Sequence, residues 1–180
     1  MTGKSLDSTL GDTPGLILET RSGITLQLRP VTPDDGEVLT GLFKRVSPED
    51  LRFRFFSGTV SEQQIASMLE VDHRHSEHVL AYDTANGELA ASLMVLADDH
   101  METAEVAIAV AQEYTDKGAG WALLRHAADL ARERGIKKLR SIEDRANHKA
   151  LEVEQALGFF ARDFDGDPSL VIVEADLTLD

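Results

Sequence analysis

The 180-residue chain has no cysteine. Disulfides, thiolate zinc sites and a cysteine nucleophile are therefore excluded. It has no apolar run near the about 18 residues that a membrane span needs, and its opening, MTGKSLDSTLGDTPG, lacks the apolar centre of a signal peptide. The expected compartment is the cytoplasm, with no membrane contact. Cations are scarce: 18 Lys and Arg stand against 32 Asp and Glu, a net charge of −14. Nucleic-acid binding needs clustered cations against phosphate and is disfavoured. The charge suits a cationic partner or substrate, or serves only solubility. Tyrosine occurs twice, as Tyr82 and Tyr114, and tryptophan once, as Trp121.

What is present is enough for a globular core, with 42% hydrophobic and 28% charged residues. Residues 1–15, small and polar and ending in Pro14-Gly15, are expected as a disordered leader, and 16–180 as a single domain. Alternation predicts a strand over Ile24–Pro30, and a helix follows from Thr32 or Pro33-Asp34 with Val38, Leu39, Leu42, Phe43 and Val46 on one face. Ser47–Gly58 is expected as a cap and an aromatic-rich turn, and Ser61–Val71 as a short serine-capped helix. Strands His78–Asp83 and Glu88–Asp98 meet across Asn86-Gly87, a hairpin signal. Thr103–Ala111 is the next strand, Gly118–Arg134 a helix stopped by Gly135, Ile136–Glu143 a strand and Asn147–Leu157 a helix. A closing hairpin turns at Asp165–Pro168. The order implies a mixed α/β sheet, mostly antiparallel with one parallel β-α-β unit, and helices on both faces.

The segment AIAVAQEYTDKGAGWALLRHAADLA (Ala107–Ala131) hands a strand to a helix through Lys117-Gly118-Ala119-Gly120. Unpaired N–H groups and the helix dipole make such a junction an anion site. Glycine at 118 and 120 permits positive φ and close approach to a ligand. The spacing fits neither the three-glycine dinucleotide fingerprint nor the nucleotide-triphosphate loop. The alternative is a tight turn needed only for packing.

This arrangement resembles the GNAT acyltransferase superfamily. AIAVAQEYTDKGAGWALL is similar to that family's acyl-CoA motif, and NHKALEVEQALGF (Asn147–Phe159) to its second motif, one β-α-β unit away. LRPVTPDDGEVLTGLFKRVSPEDLRFRFFS (Leu28–Ser57) further resembles the catalytic domain of bacterial protein-lysine acetyltransferases. The resemblance implies acetyl-CoA as co-substrate and no metal. Ile108 and Val110 would lie where two strands splay apart, their main chain binding the pantetheine arm like an added strand. The N–H groups of Lys117, Gly118, Ala119, Gly120 and Trp121 would hold the pyrophosphate, with Lys117 adding charge. Asn147 would hydrogen-bond the pantetheine, or be a plain helix cap. Two positions depart from the family: Thr115 where Gln or Arg is usual, and Asp116 where Gly is usual. Trp121 is also unusual, and either packs in the core or covers the cofactor's mouth.

Acylating an amine requires its neutral form, and a free lysine has a pKa of about 10.4, so a base must take the proton. The resemblance gives that role to Glu105, in TAEVAIAV. Strand periodicity alone puts Glu105 on the face opposite Ile108 unless a bulge intervenes. The family's tyrosine acid has no counterpart, since neither tyrosine is placed there. With no cysteine, direct transfer in a ternary complex is expected. The expected partners are acetyl-CoA and an amine acceptor, a protein lysine or a small amine such as a polyamine or antibiotic, with a homodimer left open. A non-catalytic acyl-CoA-binding module is the competing reading. VDHRHSEH (Val71–His78) carries ligand-type residues and is expected as a loop rather than a metal site.

Overall fold

The structure, a computed structural model, describes residues 15–55 and 57–179; apart from Gly15, the expected leader lies outside them. The strands are β1 (Leu16–Glu19), β2 (Thr25–Pro30), β3 (Ser76–Asp83), β4 (Leu89–Ala97), β5 (Thr103–Val110), β6 (Lys138–Asp144), β7 (Phe160–Asp163) and β8 (Leu170–Asp176). They form one sheet in the order β1-β2-β3-β4-β5-β6-β8-β7. Every neighbouring pair is antiparallel except β5 and β6, the mixed sheet that the sequence implies.

Among the described residues five α-helices pack around it: α1 (Gly36–Arg45), α2 (Pro48–Phe55), α3 (Glu62–Leu69), α4 (Ala119–Glu133) and α5 (His148–Ala156). α1 begins later than expected, because Asp35 closes a turn before it. The Asp35 carboxylate accepts from the Thr32 N–H at 2.6 Å and pairs with Arg29 at 2.7 Å, and Arg29 holds it down at about 2. α2 corrects the expected turn over Ser47–Gly58. Ser47 Oγ accepts from the Asp50 N–H at 3.1 Å, Pro48 occupies a position whose N–H would be unused, and Glu49 and Asp50 face the positive end of the dipole. α3 starts with a full capping box between Ser61 and Gln64.

α4 supports the site. Its buried face is Ala119, Ala122, Leu123, Leu124, Ala127, Ala128 and Ala131. Alanine at most of these positions lets the helix axis lie close to β4 and β5, against which it packs, while α5 packs on α4. β5 keeps an unbroken antiparallel register with β4, from Ala97↔Ala104 to Ala91↔Val110. With β6 it pairs only from Thr103↔Lys138 to Glu105↔Arg140. Beyond that point β6 continues with β8 alone, through Ser141↔Val173 and Glu143↔Val171. The two parallel strands therefore fork directly after Glu105.

Candidate active site

A cavity of about 360 Å³ fills the fork. One wall is β5 from Val106 to Val110 and the opposite wall is β6 from Ser141 to Glu143; α2, α5 and the start of α4 complete it. From Val106 onward β5 has a strand partner on one side only. An extended chain of amides could therefore pair along its free edge. Of the residues singled out in sequence, Ile108, Val110, Thr115, Asp116, Gly118, Ala119, Gly120, Trp121 and Asn147 line this one cavity.

Lys117 and Glu105 do not line it. The Lys117 ammonium lies 5.4 Å from the centre of the Tyr114 ring, and its carbonyl accepts from Ser22 Oγ at 2.7 Å. Glu105 stands at the closed end of the fork, where its carboxylate accepts from Arg140 at 2.9 Å. The unbroken β4–β5 register leaves no bulge, so Glu105 is on the sheet face opposite Ile108.

The loop before α4 turns through two left-handed residues, Asp116 at φ 62° and Gly118 at φ 82°. Gly118 has a second constraint, since a Cβ there would sit 3.3 Å from the Arg21 nitrogen. Gly118→Ala is expected to destabilise the fold by about 1–3 kcal/mol, seen as a melting temperature lower by several degrees; an unchanged melt would contradict this geometry. At Gly120 a Cβ would meet nothing within 4 Å, so there the missing side chain leaves open space beside the helix start. The first intrahelical bond of this turn runs from Ala122 N–H to Gly118 at 3.0 Å. The N–H groups of Ala119, Gly120 and Trp121 precede it and are free for a ligand. Two cations add to this end: the guanidinium of Arg21 lies 3.9 Å from the centre of the Trp121 ring and that of Arg125 4.9 Å away. Trp121 is thus part of the cavity wall, half-buried beneath cations. A free strand edge, an open glycine and a cationic helix start suit the amides and pyrophosphate of an acyl-CoA.

The two departures from the family motif have physical readings. Thr115 Oγ1 donates to the Gln112 carbonyl at 2.7 Å and tightens the turn. Asp116 occupies a left-handed conformation that Asp tolerates better than most residues, and its carboxylate accepts from Lys149 Nζ at 3.1 Å. Both side chains are 73% exposed, so the pair adds little stability. Asp116→Gly should leave the melting temperature nearly unchanged and tighten CoA several-fold, by an amount that shrinks with salt. Calorimetry at two ionic strengths checks this; equal affinities would mean that the charge is not felt at the site.

Sequence reasoning missed a cluster at the base of the cavity. Glu154 of α5 is 4% exposed. Ser141 donates to its Oε1, and Oε2 has no partner among the described residues. Burial and the neighbouring Glu143 push Glu154 up to about 8, and burial raises Glu143 as well. Asn147 donates to Glu143 at 3.1 Å while its Oδ1 caps α5 at 3.4 Å from the Ala150 nitrogen. Both ends of its amide are thus engaged in the wall of the cavity. Burial lowers Arg54 of α2 to about 10, and its Nε has no partner among the described residues. The signal for Glu154 was its spacing, seven residues after Asn147 and so on the same helix face.

Tyr114 lines the cavity, but neither tyrosine offers its hydroxyl to the fork. Tyr114 donates to Asp83 at 2.9 Å, and Tyr82 accepts from Arg29 at 2.9 Å. In the histidine segment, His75 contacts Asp72 at 3.0 Å, while buried His78 turns to the Met68 carbonyl at 2.8 Å. No group of three metal-ligating side chains occurs among the described residues.

Residues 46–159 match the Acetyltransferase (GNAT) family. An acetyltransferase of Pseudomonas aeruginosa is 28% identical over 150 residues, which are 81% of this chain and 80% of that one. The GNAT domain of PAT from S. lividans superposes with a TM-score of 0.80 at 29% identity, over 89% of this chain and 96% of that one. Spermidine N-acetyltransferase from Vibrio cholerae, solved with CoA and spermine, gives 0.70 at 16% identity, over 85% and 96%, and shares the fold. Motif region, fold and cavity agree, and the chain belongs to the GNAT acetyltransferase family as an acetyl-CoA-dependent N-acetyltransferase.

Proposed function

We propose that the protein passes the acetyl group of acetyl-CoA directly to a lysine amine of a protein, in the cytoplasm. The observation that carries this reading is the fork after Glu105, whose single cavity joins the free edge of β5 to the open helix start at Ala119–Trp121. Main-chain groups around Ile108 and Val110 hold the pantetheine arm as an added strand. The N–H groups of Ala119, Gly120 and Trp121 hold the pyrophosphate, with Lys149 and Arg125 close to this end of the cavity. Asn147 lines the path between them.

Glu105, its side chain 42% exposed beside Arg140, takes the amine proton at the closed end of the fork. A backbone N–H of β5 near Ile108 steadies the developing oxyanion. A protein acceptor is supported by the PEDLRFRF segment, which forms α2 and lines the cavity through Asp50, Leu51, Phe53, Arg54 and Phe55, and by 29% identity to the PAT domain. A polyamine acceptor is supported by the net charge of −14. A thiol-release assay with acetyl-CoA separates the two: lysine peptides should outpace spermidine in kcat/KM, and the reverse order overturns the protein-acceptor reading.

A further inference from the structure

Thiolate departure at this fork finds the hydroxyl of Tyr114 already donated to Asp83, yet a buried carboxyl stands in the wall. We propose that Glu154 is the acid that protonates the departing CoA sulfur, with Ser141 and Glu143 holding it in place. The proposal rests on acetyl transfer occurring in this cavity.

Its geometry comes from two elements. α5 presents Glu154 two turns after its cap, Asn147, on the same face. From β6, Ser141 donates to Oε1, which leaves Oε2 for the proton. The charged groups around this site are Glu143 from β6 and Arg54 from α2, which acts on Glu143; Asn147 restrains Glu143 at 3.1 Å. Two carboxyls this close hold one proton between them at neutral pH, and the more buried Glu154 is the member that keeps it. A group at about 8 is nearly matched to a thiol near 8.5, so the proton moves with little uphill cost.

The step balances. The amine nitrogen forms the C–N bond. The C–S bond breaks with its electron pair on sulfur, and Glu154 gives its proton to that sulfur. The ammonium loses two protons, one before attack and one from the nitrogen once the C–N bond has formed; Glu105 passes each in turn to water, and Glu154 takes one back from solvent after CoA leaves. The net products are the amide, the CoA thiol and one proton from the starting ammonium.

Glu154 also lies on the correct side. Adjacent residues of β6 face opposite ways. Arg140 pairs with Glu105, and Ser141, the next residue, with Glu154. Base and acid therefore flank the fork from opposite faces.

Glu154→Gln tests the assignment, because glutamine keeps the Ser141 contact and a neutral side chain but cannot release a proton. It should fold. Glu154 is raised above its unfolded value, so its stabilising effect is full at low pH and is lost as pH rises through about 8; glutamine has no such loss. In thiol release with acetyl-CoA and a lysine peptide, or spermidine if that is the better acceptor, kcat should fall about 10²-fold. Acetyl-CoA affinity by calorimetry should stay within about two-fold. The wild-type kcat should decline above pH 8, and that limb should vanish in the variant. A second readout needs no turnover: the infrared carbonyl band of the protonated Glu154 should shift when CoA alone is added to wild type at pH 7, with no such change in the variant. Equal kcat with an unchanged pH limb, or an unshifted band with CoA bound, overturns the proposal. A wild type that binds no CoA sinks the cavity reading first, and this assignment with it.

Discussion

Gly120→Asp should fold as well as wild type and bind CoA at least about 100-fold more weakly. Folding is spared for three reasons. Gly120 has no left-handed φ, a Cβ there meets nothing within 4 Å, and an acidic side chain in the first turn of α4 complements the helix dipole. Binding suffers for the same reasons turned around. The new side chain occupies the space left open beside the N–H groups of Ala119, Gly120 and Trp121. It also brings a negative charge to where the phosphates would lie. Two like charges about 4 Å apart at an effective dielectric near 20 repel by about 4 kcal/mol, close to a thousand-fold in affinity. Calorimetry with CoA on the folded variant checks this. Undiminished affinity would mean that the glycine serves the turn alone. The contrast with Gly118→Ala is diagnostic, since that change acts on stability through Arg21 and the left-handed φ.

The local signals were legible in sequence because they depend on near neighbours. Asn86-Gly87 turned the β3–β4 hairpin, with Gly87 at φ 74°, and Ser61 with Gln64 began α3. The Gly-x-Gly at 118–120 sits where a strand hands over to a helix, and Asn147 starts the helix that faces it, so the wall of the cavity could be read directly. α2 could not. Its run Leu51-Arg52-Phe53-Arg54-Phe55 alternates with a period near two, which masks a helix fixed by its Ser47 cap and by packing beside β6. β1 has Leu16, Ile17 and Leu18 in succession on a sheet edge, a pattern without the polar alternation that marks a strand. The Asp116 departure looked like a charge set against the cofactor, and only folding brings Lys149, 33 positions away, into contact with it. Glu154 sits among Glu152 and Gln155 in a stretch that reads as solvated. Its burial comes from β6 and α4, neither of which is near in sequence.

Glu105→Gln is expected to lower turnover by about 10²–10⁴-fold with acetyl-CoA affinity and fold nearly intact. Affinity should hold because Glu105 is outside the cavity wall, on the face opposite Ile108. Stability should hold because the pair with Arg140 is partly exposed, at 36% and 42%, and such pairs are worth at most about 1 kcal/mol; glutamine can still accept one hydrogen bond from the guanidinium. What glutamine cannot do is accept the amine's proton. Raising the pH as far as about 8, where Glu154 still holds its proton, should therefore restore part of the variant's rate, because more of an acceptor near the about 10.4 of a free lysine is already neutral. This is the opposite of the pH signature expected of Glu154, whose loss removes a decline at high pH. The two variants separate base from acid in a single set of profiles. If Glu105→Gln and wild type acetylate the same peptide equally at neutral pH, Glu105 is a sheet-face carboxylate paired with Arg140 and nothing more. The base must then be sought at Glu143, the carboxylate within the fork that Asn147 already holds.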